Sequence, residues 1–135
     1  MKIVIDNNIV LDALLKRNPF NEAAEKILVA CADTHTGCLT TNSLTDIFYV
    51  LRKSLNAQSS KALIKKLMEL LEIISVTEED CVNALELQTD DFEDALIAIC
   101  GQNAGADFIV TRDKVLLKSG SIIPVISPDD LLKIL

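Results

Sequence analysis

Tryptophan is absent from this chain, and one tyrosine with four phenylalanines makes up its whole aromatic content. A core for 135 residues must therefore come from Ile, Leu, Val and Ala, and a 50% hydrophobic share is enough to close one. That composition excludes a disordered chain. There is one histidine, His35, and the four cysteines (Cys31, Cys38, Cys81 and Cys100) form no C-x-x-C pair, so no zinc constellation can be assembled. In a reducing compartment these thiols read as small buried hydrophobes. Long apolar runs are missing: stretches such as Ala95 to Cys100 fall far short of the roughly 20 residues a membrane helix needs. The opening Met1-Lys2-Ile3-Val4-Ile5-Asp6 has the look of a buried strand and lacks the features of a signal peptide. The expectation is a cytoplasmic protein with no membrane partner. Repeats, low-complexity tracts and linkers are also missing, so a single domain over residues 1–135 is expected.

Positive charge is scarce too. The net charge of −7 excludes a broad basic face for nucleic acid. Between Val76 and Ala95 stand eight acids (Glu78, Glu79, Asp80, Glu86, Asp90, Asp91, Glu93, Asp94) and no base. The other 115 residues carry twelve acids against thirteen bases, so the acidity is one local feature. A solvated helix face accounts for part of it, and a cation site could account for the rest.

Short apolar runs alternate with amphipathic stretches along the chain. Strands are expected at Lys2 to Ile5, Gly37 to Thr40, Ile73 to Val76, Phe108 to Val110 and Ile122 to Ile126. Helices are expected at Ile9 to Leu15 and Asn21 to Cys31, split by Asn18-Pro19, then at Ser43 to Leu55, Ser59 to Leu71, Glu78 to Leu87 and Phe92 to Ala104. Gly105 stops the last of these, and Pro128 opens a closing helix. This alternation predicts an α/β fold with a parallel sheet covered on both faces. In such folds, strand C-termini and helix N-termini share the edge where ligands bind.

Five aspartates are expected on that edge. Asp6 follows the first strand, and Asp46 sits in the first turn of the helix after the second. Asp91 and Asp94 open the helix leading into the fourth strand, sharing a face at spacing i, i+3, and Asp113 follows that strand. Carboxylates crowded in this way repel unless neutralised, which a hard divalent cation does best. One or two Mg²⁺ or Mn²⁺ ions there could activate a water and stabilise the leaving oxygen of a phosphodiester. One acid could also accept the proton of that water. Capping is the competing account. Ser43-x-x-Asp46 and Ser127-x-x-Asp130 both fit N-cap patterns, and Asp91 and Asp94 could charge their own helix start. Asp6, at a strand end, is expected to escape that account.

Four segments in order resemble the PIN-domain nuclease family, which includes the toxin half of VapBC-type toxin–antitoxin pairs. They are Val4-Ile5-Asp6-Asn7-Asn8-Ile9, Ser43-Leu44-Thr45-Asp46, Asp91-Phe92-Glu93-Asp94-Ala95-Leu96, and Ala106-Asp107-Phe108-Ile109-Val110-Thr111-Arg112-Asp113. The resemblance spans essentially the whole chain. It implies a three-layer α/β sandwich with strand order 3-2-1-4-5 and an Mg²⁺- or Mn²⁺-dependent ribonuclease. It also implies frequent homodimers and often a small antitoxin partner. Asp6, Asp46, Asp94 and Asp113 would be catalytic, with Asp6, Asp94, Asp113 and Asp91 as metal ligands. Asn8, Thr111 and Arg112 would meet the substrate or orient the first acid. Two departures stand out. The second acid, usually Glu in this family, is the shorter Asp46. The family's T-R-N-x-x-D-F reads Thr111-Arg112-Asp113-Lys114-Val115-Leu116-Leu117 here, so either Asp113 takes over as fourth ligand or that ligand is missing.

For RNA, Arg52, Lys53, Lys61, Lys65 and Lys66 form the best basic face, with Arg112 and Lys114 beside the acids. A haloacid-dehalogenase-like phosphotransferase would want Asp where Asn8 stands, and a receiver domain would want a second acid beside the first and a late strand-end Lys. The remaining rival is a PIN-like scaffold that has lost activity through its altered fourth motif and now binds protein or RNA.

Overall fold

The computed structural model describes residues 1–135 and contains five strands and eight helices. The strands are β1 (Lys2–Ile5), β2 (Thr36–Thr40), β3 (Glu72–Ile74), β4 (Phe108–Val110) and β5 (Val125–Ile126). All pair in parallel in the order β3-β2-β1-β4-β5, as the resemblance implied. The helices are α1 (Asn7–Leu14), α2 (Asn21–Asp33), α3 (Thr41–Leu51), α4 (Ala57–Leu70), α5 (Glu78–Leu85), α6 (Phe92–Asn103), α7 (Lys114–Leu117) and α8 (Pro128–Leu132). None is long and apolar enough to cross a membrane.

Period-two alternation sorts the strand residues into two cores. Ile3, Ile5, Leu39 and Val110 point to one face, where Ile9, Ile27, Ile47, Leu51 and Leu131 from α1, α2, α3 and α8 cover them. Their neighbours Val4, Cys38 and Ile109 point to the other face, against Ile97 and Ala98 of α6 and Leu116 of α7. Three layers result. Burying each such Ile or Leu stabilises the fold by about 1.5–3 kcal/mol. Helix α6 is buried along Ala95–Gly101 because it lies between the sheet and α5, whose Ala84 meets Leu96, Ile99 and Cys100. Gly101 permits the close approach, since a Cβ there would stand 2.8 Å from Ile123 Cδ1 and 3.1 Å from Val4 Cγ2.

Several boundaries differ from expectation. The fifth strand shrinks from Ile122–Ile126 to two residues, because Pro124 has no N–H to give the ladder. Its carbonyl still accepts from Ile109 N at 2.9 Å. The short α7 was not foreseen. Helix α3 begins at Thr41, earlier than Ser43, because Thr40 Oγ1 caps it by accepting from Ser43 N at 3.1 Å. Asp46 is therefore in the second turn, and the expected Ser43-x-x-Asp46 cap does not form. Gly105, at φ 73°, follows Ala104, the C-cap of α6, and stops the helix as expected. The cysteines are all free, and three of them are buried. Burial pushes the thiols of Cys31, Cys38 and Cys100 up to about 11, which keeps them out of nucleophilic chemistry.

Candidate metal centre at the sheet rim

The central strands β1 and β4 end side by side, with Ile5 opposite Val110. The next residues, Asp6 and Thr111, are thereby brought into contact. Thr111 is fully buried, and its hydroxyl donates to Asp6 Oδ2 at 2.6 Å. Asn8 Nδ2 donates to the same oxygen at 3.1 Å and lies 3.3 Å from Thr111 Oγ1. Asp6 Oδ1 accepts from Asn7 N at 2.8 Å, which makes Asp6 the N-cap of α1. The expectation that capping gives no account of Asp6 is thus corrected: one oxygen caps and the other is held by Thr111 and Asn8. Burial raises the Asp6 carboxyl above the ordinary range against these hydrogen bonds, and the charges of Asp113 and Asp91 push the same way.

Asp91 and Asp113 also cap helices. Asp91 Oδ1 accepts from Asp94 N at 3.0 Å, and Asp113 Oδ1 from Val115 N at 2.9 Å. The Asp113 amide is tied to Thr111 Oγ1 at 3.0 Å, so one hydroxyl organises both acids. Asp94 is different, because its side chain makes no hydrogen bond. Its carboxyl is pushed up to about 6, first by burial and then by Asp91, Asp6, Asp113 and Glu93. Four of the expected acids therefore lie at one rim, at the ends of β1 and β4 and the start of α6, and the charges of Asp91, Asp6 and Asp113 all reach Asp94.

Asp46 stands apart from that group and enters through a residue not expected in the site. Glu93 lies with Asp46 in a recess lined by Thr40, Ser43 and Phe92. Its carboxyl is raised by burial, then by Asp46, Asp6 and Asp91. The signal was present in Asp91-Phe92-Glu93-Asp94, but helical spacing alone turns Glu93 away from Asp91. Leu116, at the position of the family's usual acid, is buried in the core and offers no ligand.

Arg112, expected to meet substrate, forms a fork on Asp12 through Nε and Nη2, at 2.7 and 3.1 Å, while its guanidinium stacks 4.1 Å from the Phe20 ring centroid. Asp12 is 0% exposed and escaped the sequence reading, since it lies inside the apolar pattern of α1.

The donor set suits a hard cation. It is all oxygen, and two buried amide oxygens beside Asp6, Asn7 Oδ1 and Asn8 Oδ1, have no hydrogen-bond partner. No three acidic, histidine or cysteine side chains stand in a geometry that would hold one ion together. Two carboxylates with water completing the shell is the arrangement this leaves, and magnesium commonly keeps several waters.

Among known structures the fold recurs widely. VapBC2 of Rickettsia felis, solved bound to a promoter DNA fragment, superposes with a TM-score of 0.70 at 19% identity, covering 94% of this chain and 98% of that one. The VapC20 toxin of Mycobacterium tuberculosis, described as cleaving the sarcin–ricin loop, gives 0.72 at 13% identity over 89% and 96%. DNA-bound VapBC of Salmonella typhimurium gives 0.72 at 16% identity over 95% and 98%. At these identities the likeness is one of fold. No curated protein sequence matches the chain. The family model of the PIN domain matches residues 2–115, and the chain belongs to the PIN domain family.

Proposed function

We propose that this chain, as one catalytic unit over residues 1–135, is a divalent-metal-dependent endoribonuclease and the toxin half of a toxin–antitoxin pair. The observation that carries this reading is the crowding of Asp6, Asp91, Asp94 and Asp113 at one rim of a PIN fold, with the Asp94 carboxyl pushed up to about 6 by burial and like charges. Like charges gathered at one rim are suited to a cation between them.

Two carboxylates from the set Asp6, Asp94, Asp113 and Asp91, with water completing the shell, would hold Mg²⁺ or Mn²⁺. When bound, such an ion lowers the pKa of water and offsets charge on the phosphodiester. Thr111 and Asn8 fix the Asp6 carboxylate so that it needs no reorganisation on binding. In the Asp46–Glu93 pair, burial and the neighbouring acids raise the Glu93 carboxyl, which makes it the stronger base for the proton of the attacking water. Arg112 keeps Nη1 for an RNA phosphate, because only Nε and Nη2 are used by Asp12.

The partner reading has separate support. Leu44, Phe48, Ile64 and Met68 form an apolar groove between α3 and α4, edged by Lys61 and Lys65. It suits an antitoxin segment with an apolar face and acidic flanks. Thr45 lines both this groove and the Asp46 recess, so the partner would sit next to the acids. Homodimerisation, implied by the family resemblance, and the cytoplasmic setting expected from the sequence belong to the same proposal.

The purified chain is expected to cut a mixed RNA pool with Mg²⁺ or Mn²⁺, to stop on chelation, and to lose cutting in Asp6→Asn. Indifference to both chelator and substitution would favour a PIN scaffold that binds without cutting, the reading that the buried Leu116 supports.

A further inference from the structure

Of the Arg112–Asp12 ion pair, the chemistry above uses only the free Nη1 of Arg112 and gives the buried Asp12 no role. Asp12 is 0% exposed, sits within α1 and receives the Arg112 fork at 2.7 and 3.1 Å. Arg17 Nη1 reaches the same carboxylate at 3.8 Å. Arg112 lies between Thr111, which holds Asp6, and Asp113, which is part of the acidic cluster. Its guanidinium is raised first by the hydrogen bonds it donates to Asp12, against a burial penalty, and then by the charges of Asp12 and Asp6. The cation is therefore within electrostatic reach of the first carboxylate but turned away from it.

That placement is consequential. A guanidinium is the ordinary fork-shaped partner of a carboxylate. Released, Arg112 would find Asp6 or Asp113 and supply within the protein the positive charge that the site otherwise takes from a metal. A buried carboxylate with two arginines around it is a costly feature for stability alone, since well-packed apolar residues often serve as well. Resting on the metal-centre reading above, we propose that Asp12 is a positioning residue. It sequesters Arg112 so that the guanidinium does not compete with a divalent cation for the rim carboxylates, and it leaves the outer edge of Arg112 aimed at the phosphate backbone.

The test is Mn²⁺ affinity by calorimetry on the intact chain, with thermal unfolding measured on each variant. Asp12→Asn is expected to weaken Mn²⁺ binding on the order of tenfold, the scale of one unit charge moved next to the ion in a partly screened site. Adding Arg112→Gln to that variant should restore the affinity, even though the double variant has lost the whole pair. Arg112→Gln alone should bind Mn²⁺ at least as tightly as the parent, whatever it does to unfolding, and it keeps the test decisive if Asp12→Asn does not fold. Unchanged Mn²⁺ affinity in Asp12→Asn, or weakened affinity in Arg112→Gln, would overturn the proposal and leave a purely structural ion pair. Absence of Mn²⁺ binding in the parent would instead remove the metal-centre reading, and this proposal with it.

Discussion

Asp94→Asn is expected to reduce RNA cleavage by about two orders of magnitude or more while leaving the fold as stable as the parent or slightly more so. The side chain accepts no hydrogen bond; only its backbone N–H is used, by the Asp91 cap, and an amide leaves that bond intact. Its carboxyl is pushed up to about 6 by burial and by four neighbouring acids, so at neutral pH it carries a charge that the metal-free fold disfavours. Removing that charge relieves repulsion worth at most about 1 kcal/mol after discounting for solvent screening. The expected change in melting temperature lies between zero and about +3 °C. A fall of several degrees would mean that Asp94 supports the helix and has no functional role.

The second large effect is in the coupling between protons and metal. Asp94 has a folded pKa of about 6 against an ordinary 3.8. Its contribution to the stability of the metal-free protein is thus complete below about pH 4 and lost as pH rises through 6. Asp6 and Glu93 are raised too and act in the same direction. Metal binding runs the other way, because ligands must be deprotonated. Between pH 7 and 5 the apparent Mn²⁺ affinity should fall by up to about tenfold per unit for each proton displaced. Calorimetry in buffers of different ionisation enthalpy should register proton release that grows toward pH 5. A flat affinity over that range would show that these raised carboxyls are not the ligands.

The layers were legible because short strands such as Ile3-Val4-Ile5 are apolar on both faces and amphipathic helices separate them; the strand order came from the family resemblance alone. Asp6, Asp91, Asp94 and Asp113 were legible for a related reason: a parallel sheet sends every strand C-terminus and helix N-terminus to one rim. What stayed hidden depends on contacts across long sequence separations. Asp12 looks like a stray polar residue in α1 until Arg112, 100 positions away, closes a fork on it. Glu93 falls on the wrong side of α6 by spacing alone and shares a recess with Asp46, which approaches from α3. Capping leaves room for the proposed site roles. Asp6 uses one oxygen for α1 and offers the other to Thr111 and Asn8, a division that periodicity cannot express.

The most direct measurement is a calorimetric titration of the parent and Asp94→Asn with Mn²⁺ at neutral pH. The parent should bind stoichiometrically at up to millimolar metal, and the variant at least about tenfold more weakly. No heat of binding in the parent, or the same affinity in both, would contradict a cation held between these carboxylates.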